Sequence, residues 1–155
     1  HLNRLLAIHY RSLPMYLADA GMWRSSDAHD DELAKALKHL VSDYTATCGR
    51  IATAILDRAG AVEHTSYSME FTDTNFLSLD YMLVEIIELL KRDMDQMRRI
   101  VIALGDDADA KALAQEALGA AKAHLEILTA LAAKVVQSTS ARVITSGFCK
   151  GVAVL

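Results

Sequence analysis

The sequence has few of the residues that make turns and covalent crosslinks. Its 155 residues include one proline, seven glycines and two cysteines, and aromatic residues make up only 6% of the chain. An all-β fold needs many turns, so this composition argues against one. Cys48 and Cys149 lie far apart in the chain, and we expect them to be reduced thiols of a cytoplasmic protein rather than a disulfide.

Hydropathy and charge argue against two further classes of protein. No run of 18 apolar residues occurs, and we therefore expect no membrane-spanning helix and no membrane partner. The net charge is −4, and the basic residues form short pairs such as Arg98-Arg99 rather than a cluster. Because nucleic-acid-binding proteins need a concentrated positive field, we expect no nucleic-acid partner.

Helix-forming residues are abundant instead. Ala and Leu together supply 46 residues, and both have a high helix propensity. Apolar residues recur with the helical period in four stretches. Pro14 lies inside the first stretch and should kink or divide that helix, because it lacks a backbone N–H. The predicted helices run from Leu2 to Ala20, from a cap at Ser26 or Asp27 to Gly60, from Asn75 to Leu104 and from Asp107 to Gln137.

The connections between these helices indicate how they assemble. The first and third connections are short. The fourteen residues from Ala61 to Thr74 reach about 45 Å when extended, which is long enough to run back along a bundle. The sequence therefore predicts an all-α, antiparallel four-helix bundle over residues 1–137, with a long crossover between helices two and three. Residues 138–155 show no helical stripe and are predicted to be an extended or flexible tail, or a segment that docks on another chain.

Four segments carry a resemblance to a known family. The chain begins with LNRLLAIHYRSLPMYL, has a Met22-Trp23 pair after that helix, ends the second helix with AILDRAG and contains KAHLEILTAL in the fourth. Together with the helix order and loop lengths over residues 1–137, these segments resemble the ferritin-like superfamily, in particular the bacterioferritin and rubrerythrin types. The resemblance implies the ferritin-like fold and, in active members, two irons held between the helices.

Most of the metal ligands that the resemblance implies are replaced in this sequence. Active members use one Glu from each of two helices and a Glu-x-x-His from each of the other two. Two ferrous ions without these carboxylates would bring uncompensated charge into the core, so we expect no standard di-iron centre. The corresponding positions here are His9 in the first helix, Tyr44 and Thr47 in the second, Ile87 or Glu88 in the third, and Ala121 and His124 in the fourth.

The simplest interpretation of these positions is a remnant of such a site without metal. In this interpretation the inward-facing polar side chains satisfy one another or water by hydrogen bonds. The interior polar cluster would then consist of His9, Tyr44, Thr47 and His124.

Two other interpretations keep a ligand or metal at this place. In one, the two histidines form a different metal or small-ligand site with Asp43 or Asp80, since imidazole is a good ligand for Zn, Cu or Ni. In the other, a shifted helical register preserves a carboxylate site on Glu85, Glu88 or Glu116. The candidate metal ligands are therefore His9, His124, Asp43, Asp80 and Glu88.

The sequence favours a ferritin-like protein that lacks a standard di-iron centre and has a binding or assembly role. The resemblance implies a homodimer or a higher homo-oligomer. One alternative is a metal-binding oxidoreductase or an iron-handling, ferroxidase-like protein, with iron or another transition metal at an atypical site. A second alternative is a cargo or subunit whose C-terminal tail docks to a protein partner in a larger assembly. Haem is not expected, because Thr45 stands where bacterioferritins hold haem with a methionine.

Overall fold

The protein is an all-helical bundle. The computed structural model describes residues 1–20, 28–63, 66–74 and 77–147, and it contains no β-strand within them. Expectations for Met22-Trp23, for the cap at Ser26 or Asp27, for Asn75 and for Cys149 lie outside these residues. The elements are α1 (Leu2–Tyr10), α2 (Leu13–Ala20), α3 (Ala28–Leu56), a 3₁₀ helix (Met69–Thr74), α4 (Leu79–Ala103) and α5 (Ala108–Gly147).

The first predicted helix is divided in two near Pro14. α1 ends at Tyr10 and α2 begins at Leu13, so that Arg11 and Ser12 form a short turn between them. Pro14 lies in the first turn of α2, where helical N–H groups have no intrahelical acceptor and a missing donor is tolerated. The division predicted from this proline is confirmed.

α4 begins later than predicted. Its first residue is Leu79 rather than Asn75. The hydroxyl of Ser78 accepts a hydrogen bond from the backbone N–H of Tyr81 (3.4 Å) and so caps the helix at this point. The 3₁₀ helix falls within the stretch that was predicted to be a loop.

α5 ends later than predicted. It continues to Gly147, ten residues beyond Gln137, so residues 138–147 are helical rather than extended. Once a helix has formed, each residue added to its end gains one backbone hydrogen bond, and only the backbone dihedral angles of that residue have to be fixed. No proline or glycine interrupts the chain between Gly119 and Gly147. Residues 148–155 lie outside the described part of the chain.

The core is formed by one apolar stripe from each helix. α1 to α4 contribute mainly buried leucine, isoleucine and methionine side chains. α5 instead contributes a row of small side chains, which lets its backbone lie close to α4, the helix it packs against most extensively. This row consists of the buried residues Ala110, Ala114, Ala117 and Ala121. Among the helices of the described residues, none has the length and apolarity needed to cross a lipid bilayer.

α3 and α5 run antiparallel, and polar pairs join them along their length. As the residue number rises along α3, the number of its partner falls along α5, which defines the relative direction of the two helices. Going along α3 and the turn after it, the pairs are Glu32 with Lys134 (3.0 Å), Asp43 with His124 (2.8 Å), Arg50 with Glu116 (2.5 Å) and Arg58 with Asp107 (2.6 Å).

The segment between α3 and α4 follows first α1 and then α2. The side-chain amide of Asn3 donates a hydrogen bond to the carbonyl of Ala61 (2.8 Å), at the start of α1. Further along the segment, the ring of Tyr67 stacks on Tyr10, at the end of α1. The Tyr67 hydroxyl donates to the carboxylate of Asp19 on α2 (3.2 Å). This path brings residues 66–71 over the turn between α1 and α2.

Candidate functional site

His9 lies in the last turn of α1, and only 1% of its surface is exposed. Its Nδ1 is 2.9 Å from the carbonyl oxygen of Leu5. Because a carbonyl oxygen can only accept a hydrogen bond, Nδ1 must carry the proton that it donates. Burial lowers the pKa of His9, since burial disfavours the charged form. The ring is therefore neutral near pH 7, and Nε2 is its unprotonated nitrogen.

Tyr44 on α3 packs directly against His9. The two ring centroids are 4.7 Å apart, and the ring planes are tilted by 59°. The Tyr44 hydroxyl is buried and has no hydrogen-bond partner among the described residues. Burial raises the pKa of this phenol, and the negative charge of Asp93 on α4 raises it further. Helices α1, α3 and α4 thus each contribute a polar group to one buried region.

Asp93 is a functional candidate that the sequence analysis missed. It is half-buried on α4, and burial raises its pKa to about 6, although the nearby charge of Arg92 acts in the opposite direction. The amide of Gln96 lies 3.5 Å from its Oδ1, and no cation of the described residues forms an ion pair with it. A carboxyl group with a raised pKa in a cleft is a common feature of binding and catalytic sites.

A cavity of about 360 Å³ opens beside this buried region. It lies between the α1–α2 turn, residues 66–71 and α4. Arg11, Ser12, Asp93 and Gln96 contribute polar groups to its wall, whereas Phe71 and four aliphatic side chains contribute apolar surface. The Ser12 hydroxyl is buried and, among the described residues, has no hydrogen-bond partner. The wall of the cavity therefore contains a positive charge, a negative charge and apolar surface.

His124 lies apart from this cavity. It is buried on α5, and its Nε2 is 2.8 Å from Oδ2 of Asp43 on α3. The side chain of Asp43 is 58% exposed, so the pair lies at the edge of the α3–α5 contact. Thr47 is half-buried on α3, and its hydroxyl forms no hydrogen bond with another side chain of the described residues. Of the four predicted polar-cluster residues, His9 and Tyr44 are in contact, whereas His124 pairs with Asp43 instead.

The other carboxylates that the sequence proposed as ligands are on the surface. Asp80 is exposed in the first turn of α4. Glu88 is exposed and pairs with Lys91 (2.7 Å), which lowers the pKa of Glu88. The remaining two also pair with arginines: Glu85 with Arg92 and Glu116 with Arg50. Within the described part of the chain, no three His, Cys, Asp or Glu side chains come together in a way that could hold a metal ion.

Two residues that could act as nucleophiles, Cys48 and Tyr44, do not line this cavity. Burial raises the pKa of Cys48 to about 11 and also raises that of Tyr44, so both stay protonated near pH 7 and neither is an activated nucleophile. Arg11 supplies a fixed positive charge and Asp93 a negative one. No protein-family model, curated protein or solved structure matches this chain.

Proposed function

We propose that this protein is a ferritin-like bundle without a standard di-iron centre, and that its interior serves a binding or assembly role. The topology supports the ferritin-like part. α3 and α5 are antiparallel, and only Leu104 to Asp107 separate α4 from α5. The helices of such a hairpin also run antiparallel, so α3 and α4 run in the same direction. The segment along α1 and α2 then acts as the long crossover between them.

The contact between His9 and Tyr44 carries the proposal about the interior. The resemblance places a metal-binding carboxylate at each of these two positions, whereas this chain has a neutral imidazole against a neutral phenol. His9 also uses Nδ1 for a bond to its own helix. Two divalent ions in a buried site need negatively charged ligands to offset the loss of hydration. The neutral pair favours hydrogen bonding and packing at this position over metal binding.

Metal analysis and an iron titration test this proposal. The protein is purified without added metal, its metal content is measured by elemental analysis, and ferrous iron is then added in air while oxygen consumption is followed. We expect less than one metal per five chains, and iron oxidation at the rate of the buffer alone. Stoichiometric metal together with catalysed iron oxidation would refute the proposal and support the ferroxidase-like alternative.

Two matched variants locate any metal that is found. His124→Gln removes one member of the His124–Asp43 pair, whereas His39→Gln changes a histidine that is exposed on α3. Under our proposal neither substitution alters the metal content. A metal lost in His124→Gln but retained in His39→Gln would identify an atypical site on the α3–α5 pair.

A further inference from the structure

The cavity beside the α1–α2 turn is lined by both charged or polar side chains and apolar side chains. The charged groups come from different elements: Arg11 from the turn and Asp93 from α4. The apolar part of the wall also comes from several elements, so the cavity exists only when α1, α2, α4 and residues 66–71 are assembled. Its main apolar side chains are Ile8, Leu13, Phe71 and Leu89.

Arg11 and Asp93 line the same cavity without pairing with each other. Among the described residues, neither of these two side chains forms an ion pair with any other group. The carboxyl group of Asp93 is half-buried, and among the described residues the cost of this burial is offset by a single hydrogen bond, from the amide of Gln96 at 3.5 Å. A half-buried carboxylate with so few partners is costly for the folded chain, and a cationic group in the cavity would offset that cost.

We propose that this cavity binds an α-amino acid with an apolar side chain, whose ammonium group contacts Asp93 and whose carboxylate contacts Arg11. A guanidinium binds a carboxylate through two parallel hydrogen bonds. The hydroxyl of Ser12 and the amide of Gln96 provide further donors and acceptors, and the apolar residues of the lining would contact the side chain of the amino acid. A cavity of about 360 Å³ lies within the usual range for small-molecule sites.

This inference gives a ligand class to the binding role proposed above, and it does not depend on whether metal is absent. The two proposals can fail separately. Metal content and iron oxidation report on the interior at His9 and Tyr44, whereas amino-acid binding reports on the cavity at Arg11 and Asp93.

Calorimetric titration of the full chain at pH 7.5 tests the ligand class. L-Leucine, L-valine and L-phenylalanine are titrated, together with 3-methylbutylamine, which lacks the carboxylate, and 4-methylpentanoate, which lacks the amino group. We expect one amino acid to bind per chain, and each analogue of leucine to bind at least ten-fold more weakly than leucine. Failure of all three amino acids to bind, or equal binding of the amine and leucine, would overturn the proposal.

Variants of the two charged groups test the site. We expect Asp93→Asn and Arg11→Gln each to weaken binding of the amino acid by at least ten-fold. The matched controls, Asp95→Asn and Arg4→Gln, change exposed residues outside the cavity and should leave the affinity unchanged. Circular dichroism checks the fold of each variant. If Asp93→Asn does not fold, the Arg11→Gln variant, which changes an exposed side chain, tests the site by itself. An unchanged affinity in Arg11→Gln would contradict the proposed site.

Discussion

Asp93 places an ionisable group among apolar side chains at the cost of stability. Its pKa is about 6 in the folded protein, compared with about 4 for an aspartate in an unfolded chain. The folded state therefore binds more protons than the unfolded state between about pH 4 and pH 6. By linkage, Asp93 causes the free energy of unfolding to fall as the pH rises through this window. The cost is complete above about pH 6 and absent below about pH 4.

We expect Asp93→Asn to stabilise the protein at neutral pH and to have less effect in acid. The difference in unfolding free energy between the variant and the original chain should grow by about 2 to 3 kcal/mol from pH 4 to pH 7.5. The lowered pKa of His9 acts in the opposite direction, but both chains contain it, so the difference isolates Asp93. Urea unfolding at several pH values measures it. A difference that does not change with pH would show that Asp93 ionises as an exposed aspartate does.

The helical period located some of these residues but not their partners. His9, Tyr44 and His124 fall on the apolar stripes of their helices, and all three are buried. At 100° per residue, Asp93 lies about 60° from Leu90, inside the apolar arc of α4. From this position on the helix, the sequence alone could have indicated that the carboxyl group of Asp93 is half-buried. The sequence could not show which helix faces meet, and it therefore placed His9 and His124 in the same predicted cluster.

At the scale of single elements, Asp107 connects the start of α5 to the end of α3. One carboxylate oxygen accepts a hydrogen bond from the N–H of Ala110 (3.0 Å) and thus caps α5. Both oxygens accept hydrogen bonds from the guanidinium of Arg58 (2.6 and 2.8 Å). These contacts lower the pKa of Asp107 to about 2. The stabilisation they provide is therefore present above about pH 4 and is lost as the pH falls toward 2.

Substitutions at Asp107 should separate its capping role from its charge. We expect Asp107→Ala to lower the midpoint of thermal unfolding by a few degrees, and Asp107→Asn to lower it less, because asparagine still caps a helix. Asp106→Ala changes the exposed neighbouring carboxylate and serves as the control. Equal shifts in Asp106→Ala and Asp107→Ala would contradict a specific role for the cap. Scanning calorimetry at pH 7 measures all three.

Local chemistry predicted some element boundaries, whereas distant pairing could not be predicted. Pro14 divides the first helix, and Gly105, with a φ of +57°, allows the tight turn between α4 and α5. The contact of Arg58 with Asp107 joins residues 49 positions apart in the chain, and such pairing depends on the packing of two whole helices. The end of α5 was misjudged because serine, threonine and β-branched residues have modest helix propensity, while a preceding helix favours its own extension.

At the scale of the whole molecule, α5 is longer than the helix it pairs with. Lys134 contacts Glu32 (3.0 Å), and the antiparallel direction then sets Ser138 opposite Ala28, the first residue of α3. The nine residues of α5 that follow Ser138 extend beyond α3 by about 14 Å at 1.5 Å per residue. An isolated helix of this length is marginal in water, and we therefore expect this part of α5 to add little to the stability of the bundle.

Shortening the chain tests this division between the bundle and the end of α5. We expect a chain that ends at Gln137 to keep its unfolding free energy within about 0.5 kcal/mol, because the buried α5 side chains and the α5 ion pairs of the described residues all precede residue 138. A chain that ends at Ala130 loses the buried Leu131 and the Lys134 pair, and should be less stable by about 2 kcal/mol or more. Urea unfolding compares the two, and light scattering on eluted protein gives their masses. A large loss of stability in the longer chain would show that residues 138–155 pack on the bundle. If instead the stability is unchanged but the particles contain fewer chains than those of the full-length protein, residues 138–155 hold the chain in a larger assembly.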